Sequence, residues 1–542
     1  MSDARVRVRT EPLGGGPLAR LAAADRVPQW YARRPADPRE WSARCRAVRE
    51  GTGHHWLEPL RPGFGPTLAR SAAGERLARA ATSPAGVVVT TGQQPGLFGG
   101  PVYTWSKAVA ALALADALEA SCGVPVAPVF WAATDDADFE EANATAVALP
   151  GGARLLRLAR TAPDGTPMSR TPLGADVHAA LAGLAEAAGS AASGAVLDVA
   201  RDAYSAGATV GGAFVALLRA ILEPLGVAVL DASHTSVREA GDALLRRALG
   251  GATDVDRAVA ERAREIAAAG HEPQVPPVAG LSLVFVDGAS GEKRRVRLDE
   301  AGVVAARAAT GTLGPNVLLR PVVERAILPA VAYVGGPGEI AYFAQVGAVA
   351  SALGAPEPLI VPRWSCTVVE PQIARLLARL GLDVEDLAQP HAAERRLARA
   401  AVPVEMSTAL AELRAAVGAR SAAVRAARDA VGPVTLPPSA ADGLERALLA
   451  RLARFERRVT AAQKRASAEL MRDVATARGA LFPFGVRQER KLNLLPTIAR
   501  HGQDVLAEMR AAAAAHAASL VGAPSAPAAA PLDGARSGVV AG

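Results

Sequence analysis

The chain has 542 residues, enough for a large core and more than one domain. Half the residues are apolar, aromatics are only 4%, and the net charge of +7 is small for this length. The arginines are scattered and form no dense basic run, so nucleic acid is disfavoured as a partner, and an anionic small molecule suits the balance equally well.

Cys45, Cys122 and Cys366 stand far apart with no CxxC, which excludes a disulfide framework and a zinc cluster and points to a reducing cytoplasm. No apolar run is long enough to span a bilayer. Residues 1–85 read as mixed helix and loop, with Trp30, Tyr31, Trp41 and Trp56 among them. Val87 to Val89 follow Pro84 and Gly86 and read as a buried strand. Gly92, Gly96, Gly99 and Gly100 then permit a tight loop. From Val102 to Ala120 the pattern is helical, with Val102, Val109 and Leu112 on one side. A strand, a glycine-rich turn and a helix open a doubly wound α/β unit, in which ligands sit at the carboxyl ends of the strands. The helix start suits an anion, and the loop carries two amides, Gln93 and Gln94. The spacing is neither GxGxxG nor GxxxxGK[ST], so taken alone it is equally consistent with a structural turn.

A second strand over 124–131 runs into Thr134-Asp-Asp-Ala-Asp-Phe-Glu-Glu-Ala-Asn143. At such a strand end, Asp135, Asp136 and Asp138 are candidates to hold a magnesium ion or to position an amine; the alternative is an acidic helix start that complements its dipole. Residues 145–200 read as an insertion in which polar strands give way to an alanine-rich helix. A helix of about 208–222 leads to a third strand over 227–234. Asp231, Ser233 and His234 end it as a site wall, too close in sequence for a catalytic triad. A helix over 237–270 and a hairpin of 281–286 with 294–298 read as a second insertion.

A fourth strand from Val331 meets Gly335-Gly-Pro-Gly338, and Glu339 opens the next helix. The repeated strand–glycine–helix plan suggests two halves flanking one cleft. A fifth strand covers 359–363. From about 368 the chain is helical. Leu410, Leu413 and Val417, and then Leu448, Leu452, Phe455 and Val459, form apolar stripes on either side of a break at Gly432–Ser439, the pattern of an antiparallel coiled-coil hairpin. Residues 522–542, rich in Ala, Pro, Gly and Ser, read as disordered.

Particular strings carry a resemblance. Thr91-Gly-Gln-Gln-Pro-Gly-Leu-Phe-x-Gly-Pro-x-Tyr-Thr-x-x-Lys107 resembles the opening signature of the bacillithiol-biosynthesis cysteine-adding enzymes, the BshC family. The stretch from Phe130 to Glu141 is similar to that family's Phe-Trp-x-x-x-Glu-Asp-His-Asp-Phe-x-Glu. Asp135 replaces the glutamate, and Ala137 replaces the histidine, so any role of that histidine has no carrier here. Arg320-Pro to Leu328-Pro329, Tyr333-x-Gly-Gly-Pro-Gly-Glu-Ile-Ala-Tyr342 and Phe482-Pro-x-Gly-x-x-Gln488-Glu-Arg-Lys-Leu-Asn493 continue the resemblance, which covers about residues 85–500.

The resemblance implies a Rossmann-type doubly wound parallel core over 1–367, akin to class I aminoacyl-tRNA synthetases, with insertions at about 145–205 and 237–315. A coiled-coil hairpin over 368–478, a segment over 479–520 that returns to the core and a tail over 521–542 complete the expected organisation. It implies addition of L-cysteine to glucosaminyl-malate by an amide bond, in a cytoplasmic homodimer joined through the coiled coil. Asp135, Asp136 and Asp138 are then the catalytic candidates. Gly92, Gln93, Gln94, Gly96, Ser233, His234, Gly335, Gly336 and Glu339 are the substrate-binding candidates, and Arg363, Gln488, Arg490 and Asn493 the nucleotide-binding ones. A carboxylate is a poor acyl donor, so ATP or another nucleotide, with magnesium, is a candidate cofactor; no intact HIGH or KMSKS string is present. Another ligase or nucleotidyltransferase-like enzyme on the same core, or a non-catalytic dimeric scaffold, are the alternatives.

Overall fold

The computed structural model describes residues 5–53, 55–190, 194–289, 291–431 and 438–522. Residues 432–437, within the expected break between the two stripes, and the tail from 523, expected to be disordered, lie outside the described residues. Two compact units are present. One takes in Val6–Ala146, Leu155–Val368 and the chain from Glu489; the other takes in Val147–Arg154 and Val369–Gln488.

The first unit is built on a five-stranded parallel sheet of β1 (Val87–Gln93), β2 (Val126–Ala132), β3 (Ala228–Asp231), β4 (Ala330–Gly335) and β5 (Ile360–Pro362), in the order β5-β4-β1-β2-β3. The chain builds outward from β1 to β3, then crosses to the other side of β1 for β4 and β5. This Rossmann order reverses between β1 and β4, and the crevice above that reversal is where such sheets bind ligands. The strands are nearly continuous apolar runs because both faces are covered. Val88, Val129, Trp131 and Leu230 pack with Leu60, Phe64 and Leu77 on one side. On the other, Phe130 lies 6.5 Å from Phe214 of the helix Val210–Leu222.

The expected helix over 237–270 is two helices, Thr235–Gly250 and Ala252–Ala268, with Gly251 between them. The hairpin is Leu281–Asp287 with Lys293–Arg297, and Leu313–Pro315 adds an unexpected third strand. That strand is only three residues long and follows an exposed stretch, so no alternation announced it. The chain rejoins the sheet unit from Glu489, not from 479: helix Asp504–Val521 packs along helix Val102–Cys122, where Arg510 pairs with Asp116 at 2.6 Å.

The second unit contains the long helices Val404–Val431 and Pro438–Ala466. Arg414 pairs with Glu456, and Arg425 with Glu445, so residue numbers rise along one helix as they fall along the other, an antiparallel register. The apolar stripe divides: Leu452 is 7% exposed, whereas Leu413, Leu448 and Phe455 are 51%, 39% and 48% exposed. No helix among the described residues is long and apolar enough to cross a membrane.

Candidate active site

The site forms where β1 and β4 part. Lys107, in the second turn of helix Val102–Cys122, is only 2% exposed. Its ammonium donates to Gly92 O at 2.5 Å and Gln93 Oε1 at 3.0 Å, and pairs with Glu339 Oε2 at 2.6 Å. Glu339 stands in the first turn of helix Pro337–Ala352, where Gly336 N donates to it at 2.7 Å. Burial alone would lift this carboxyl, but the Lys107 ammonium and the hydrogen bonds around it hold it below its ordinary value. Tyr333 also donates to Glu339; burial first, then the Glu339 charge, keep that phenol protonated. Gly335 lies under the site because a Cβ there would sit 2.5 Å from Ile360 on the neighbouring strand.

A chain of amides leads away from Lys107. Gln93 Nε2 donates to Gln94 Oε1 at 3.2 Å, and Gln94 Nε2 donates to Asp136 Oδ2 at 3.3 Å. The two glutamines thus join the helix start at Glu339 to the acidic segment beyond β2. Tyr103, one turn before Lys107, lies 3.4 Å from Gln93 Nε2.

The glycine loop is held from below. Gly100 has φ +74°, and a Cβ on Gly96 would meet Gly100 at 2.7 Å, so the turn admits no side chain at either place. Phe98 is forced to φ 53°. Its N–H donates to Tyr204 Oη at 2.8 Å, and its ring packs edge-on to Tyr204 at 4.7 Å. Asn493 Nδ2 reaches Phe98 O at 3.0 Å and Gly100 O at 3.2 Å.

The three aspartates do not converge. Asp135 pairs with Lys293 at 3.1 Å. Asp136 turns toward Gln94 and accepts Asp138 N at 2.8 Å, and burial lifts its carboxyl above the ordinary range. Asp138 caps the short helix Phe139–Ala142 by accepting Glu141 N at 3.2 Å. Among the described residues no three His, Cys, Asp or Glu side chains converge on a common point, these aspartates included. Glu141, passed over in the sequence although it closes the Phe-x-Glu string, is raised by burial and then by the charges of Asp136 and Asp138. Asp136, bonded to Gln94, is the carboxylate that meets the amide chain, whereas Glu141 lies on the exposed face of its short helix.

Other expected contacts are engaged inside the protein. His234 caps helix Thr235–Gly250 by accepting Ser236 N at 3.2 Å, and Ser233 donates to Asp231 at 2.9 Å. Arg363 is buried and doubly bonded to Glu489 at 2.9 and 3.0 Å. Gln488 Nε2 donates to Ala480 O at 2.8 Å. Arg490 is exposed, with its charge felt at Tyr103. Arg363, Gln488 and Asn493 are thus each held by partners within the protein. Sequence reasoning also passed over Lys107, Tyr103, Tyr333 and Arg320. Lys107 stood at the end of the quoted string, and a lone lysine just before the apolar run Ala108–Ala115 was the available signal.

The chain is similar to known proteins over most of its length. Residues 21–364 match the model of the bacillithiol biosynthesis BshC N-terminal Rossmann-like domain, and residues 366–519 that of the BshC C-terminal coiled-coil domain. A protein of Solibacter usitatus named "Putative cysteine ligase BshC" is 33% identical over 79% of this chain and 82% of its own length. One of the same name from Koribacter versatilis is 32% identical over 80% and 82%, and another from Salinibacter ruber 29% over 79% and 81%. With both domain models covering most of the chain and these relatives matched over four-fifths of their length, the protein belongs to the bacillithiol biosynthesis BshC family.

Proposed function

We propose that the protein is a ligase that joins the carboxyl group of L-cysteine to the amine of glucosaminyl-malate, giving bacillithiol, in the cytoplasm. The observation that carries this reading is the continuous polar chain from Glu339 through Lys107, Gln93 and Gln94 to Asp136, at the ligand-binding reversal of the sheet. Forming an amide requires a neutral amine. The nitrogen attacks the activated cysteine carbonyl, the bond to the leaving group breaks, and the ammonium proton passes to a carboxylate. Asp136, with its raised pKa, is suited to take that proton. Gln94, hydrogen-bonded to Asp136, fixes its orientation, and Lys107 in turn fixes Gln93. An activated cysteine carboxylate needs a good leaving group, which a nucleotide supplies as a chemical class.

The test is thiol profiling of a strain lacking the gene. Glucosaminyl-malate is expected to accumulate and bacillithiol to vanish, both restored by the intact gene and not by Asp136→Asn. An unchanged thiol pool in the deletion strain sinks the reading. Nucleotide dependence is read separately, by following release of nucleotide products from purified protein with cysteine and the amine. A companion proposal is that the chain works as a homodimer through the exposed apolar residues of the helical hairpin.

A further inference from the structure

A second chemistry-bearing feature lies at the carboxyl ends of β2 and β3, on the side of the acidic segment away from Gln94. A cavity there is bordered by Trp131 and Ser233 and holds four cationic side chains, Arg170, Arg238, Lys293 and Arg320, against two carboxylates, Asp135 and Asp287. Two guanidinium groups share one acid: Arg170 reaches Asp287 at 2.9 Å, and Arg238 grips it with two bonds of 2.9 Å. That trio keeps a net positive charge. Lys293 neutralises Asp135, and Arg320 is bonded to Glu324 at 2.6 Å and Tyr342 at 2.9 Å. The Trp131 indole N–H is buried with no acceptor in the protein. Planar guanidinium forks and a lysine around one cavity match a ligand with more than one carboxylate.

We infer that this cavity binds the dicarboxylate end of the amine acceptor, with Arg170, Arg238 and Lys293 as specificity-determining residues; the inference rests on the ligase reading above. The geometry of the acceptor supports it. The amine and the malyl group of glucosaminyl-malate sit on neighbouring carbons of the sugar. In the protein, neighbouring residues face the two places: Asp135 forms the wall of the cationic cavity, and Asp136 turns to the amide chain. Malyl carboxylates held beside Arg170, Arg238 and Lys293 bring the amine to Asp136. Asp287 and Lys293 come from the inserted hairpin and Arg170 from the first insertion, so both insertions contribute to the cavity.

The experiment measures binding of glucosaminyl-malate, of free L-malate and of L-cysteine to the full chain by calorimetry, for the native protein and for Arg170→Met and Lys293→Met. Each variant is expected to bind both malate-bearing ligands about 10- to 100-fold more weakly, the loss of one charge-assisted hydrogen bond, with cysteine binding unchanged. Lys293→Arg is expected to recover most of the affinity, which separates lost charge from lost fold. Native affinity for glucosaminyl-malate in both methionine variants, or no binding of either malate ligand by the native protein, overturns the inference. If the native protein binds malate through these residues and yet never joins cysteine to the acceptor, the cavity assignment stands and the ligase reading falls.

Discussion

Asp136 carries opposing demands of stability and chemistry. Its pKa is raised by burial, so the ionised carboxylate destabilises the folded state, and this penalty is present above the folded pKa and disappears as pH falls below the ordinary carboxylate value. Asp136→Asn is therefore expected to raise Tm at neutral pH, with the gain vanishing in acid, while bacillithiol formation falls about 10²- to 10⁴-fold. Paired melting curves at pH 7 and about pH 3, below the ordinary aspartate value, and a thiol assay check both halves. Asp138→Asn keeps an oxygen to cap its helix and is expected to leave both readouts near native; equal losses at 136 and 138 would refute the division of roles. Lys107 and Glu339 behave as a unit. Lys107→Met strands a buried carboxylate and is expected to cost about 3–5 kcal/mol in denaturant unfolding. Adding Glu339→Gln should recover part of that loss, and strictly additive losses would argue against the pair.

The glycine loop owes its shape to partners far along the chain more than to its own residues. Asn493 is buried and serves several loop carbonyls with one amide. Asn493→Leu is expected to destabilise the protein by about 2 kcal/mol or more, because carbonyls buried without donors remain, and to reduce activity by loosening Gln93 and Gln94. Denaturant titration alongside the thiol assay tests this. The strand–glycine–helix units were legible because β-branched runs ending in glycine leave few alternatives, and both turns lie on the switch point as that pattern implied. Gln93, Gln94 and Glu339 were legible for the same reason. The division among Asp135, Asp136 and Asp138 was not, since spacing says nothing of which way each side chain turns after a strand ends. Lys293 was invisible for another reason: its partner Asp135 lies 158 positions away, in another element. The inward roles of Arg363 and Asn493 depend likewise on contacts across most of the chain.

Association of chains tests the helical unit. The sequence treated Leu448, Leu452 and Phe455 as one stripe, but only Leu452 is buried within the chain. Leu448→Glu combined with Leu413→Glu is expected to convert a dimer to monomers in light scattering with the helical content intact. Leu452→Glu should instead lower the melting temperature of the helical hairpin. Monomeric native protein would remove the dimer proposal altogether. The dependence of the glycine loop on Asn493, and of Arg363 on Glu489, has a consequence for biosynthesis. A ribosome releases β1 through β5 long before residues 489 and 493 emerge, and the long helices of the second unit are made in between. The growing chain therefore carries a sheet whose reactive loop has no floor. Asn493 and Glu489 join the sheet only when the last segment emerges, so cleavage that removes that segment is expected to leave the glycine loop without its buried donor and Arg363 without its carboxylate.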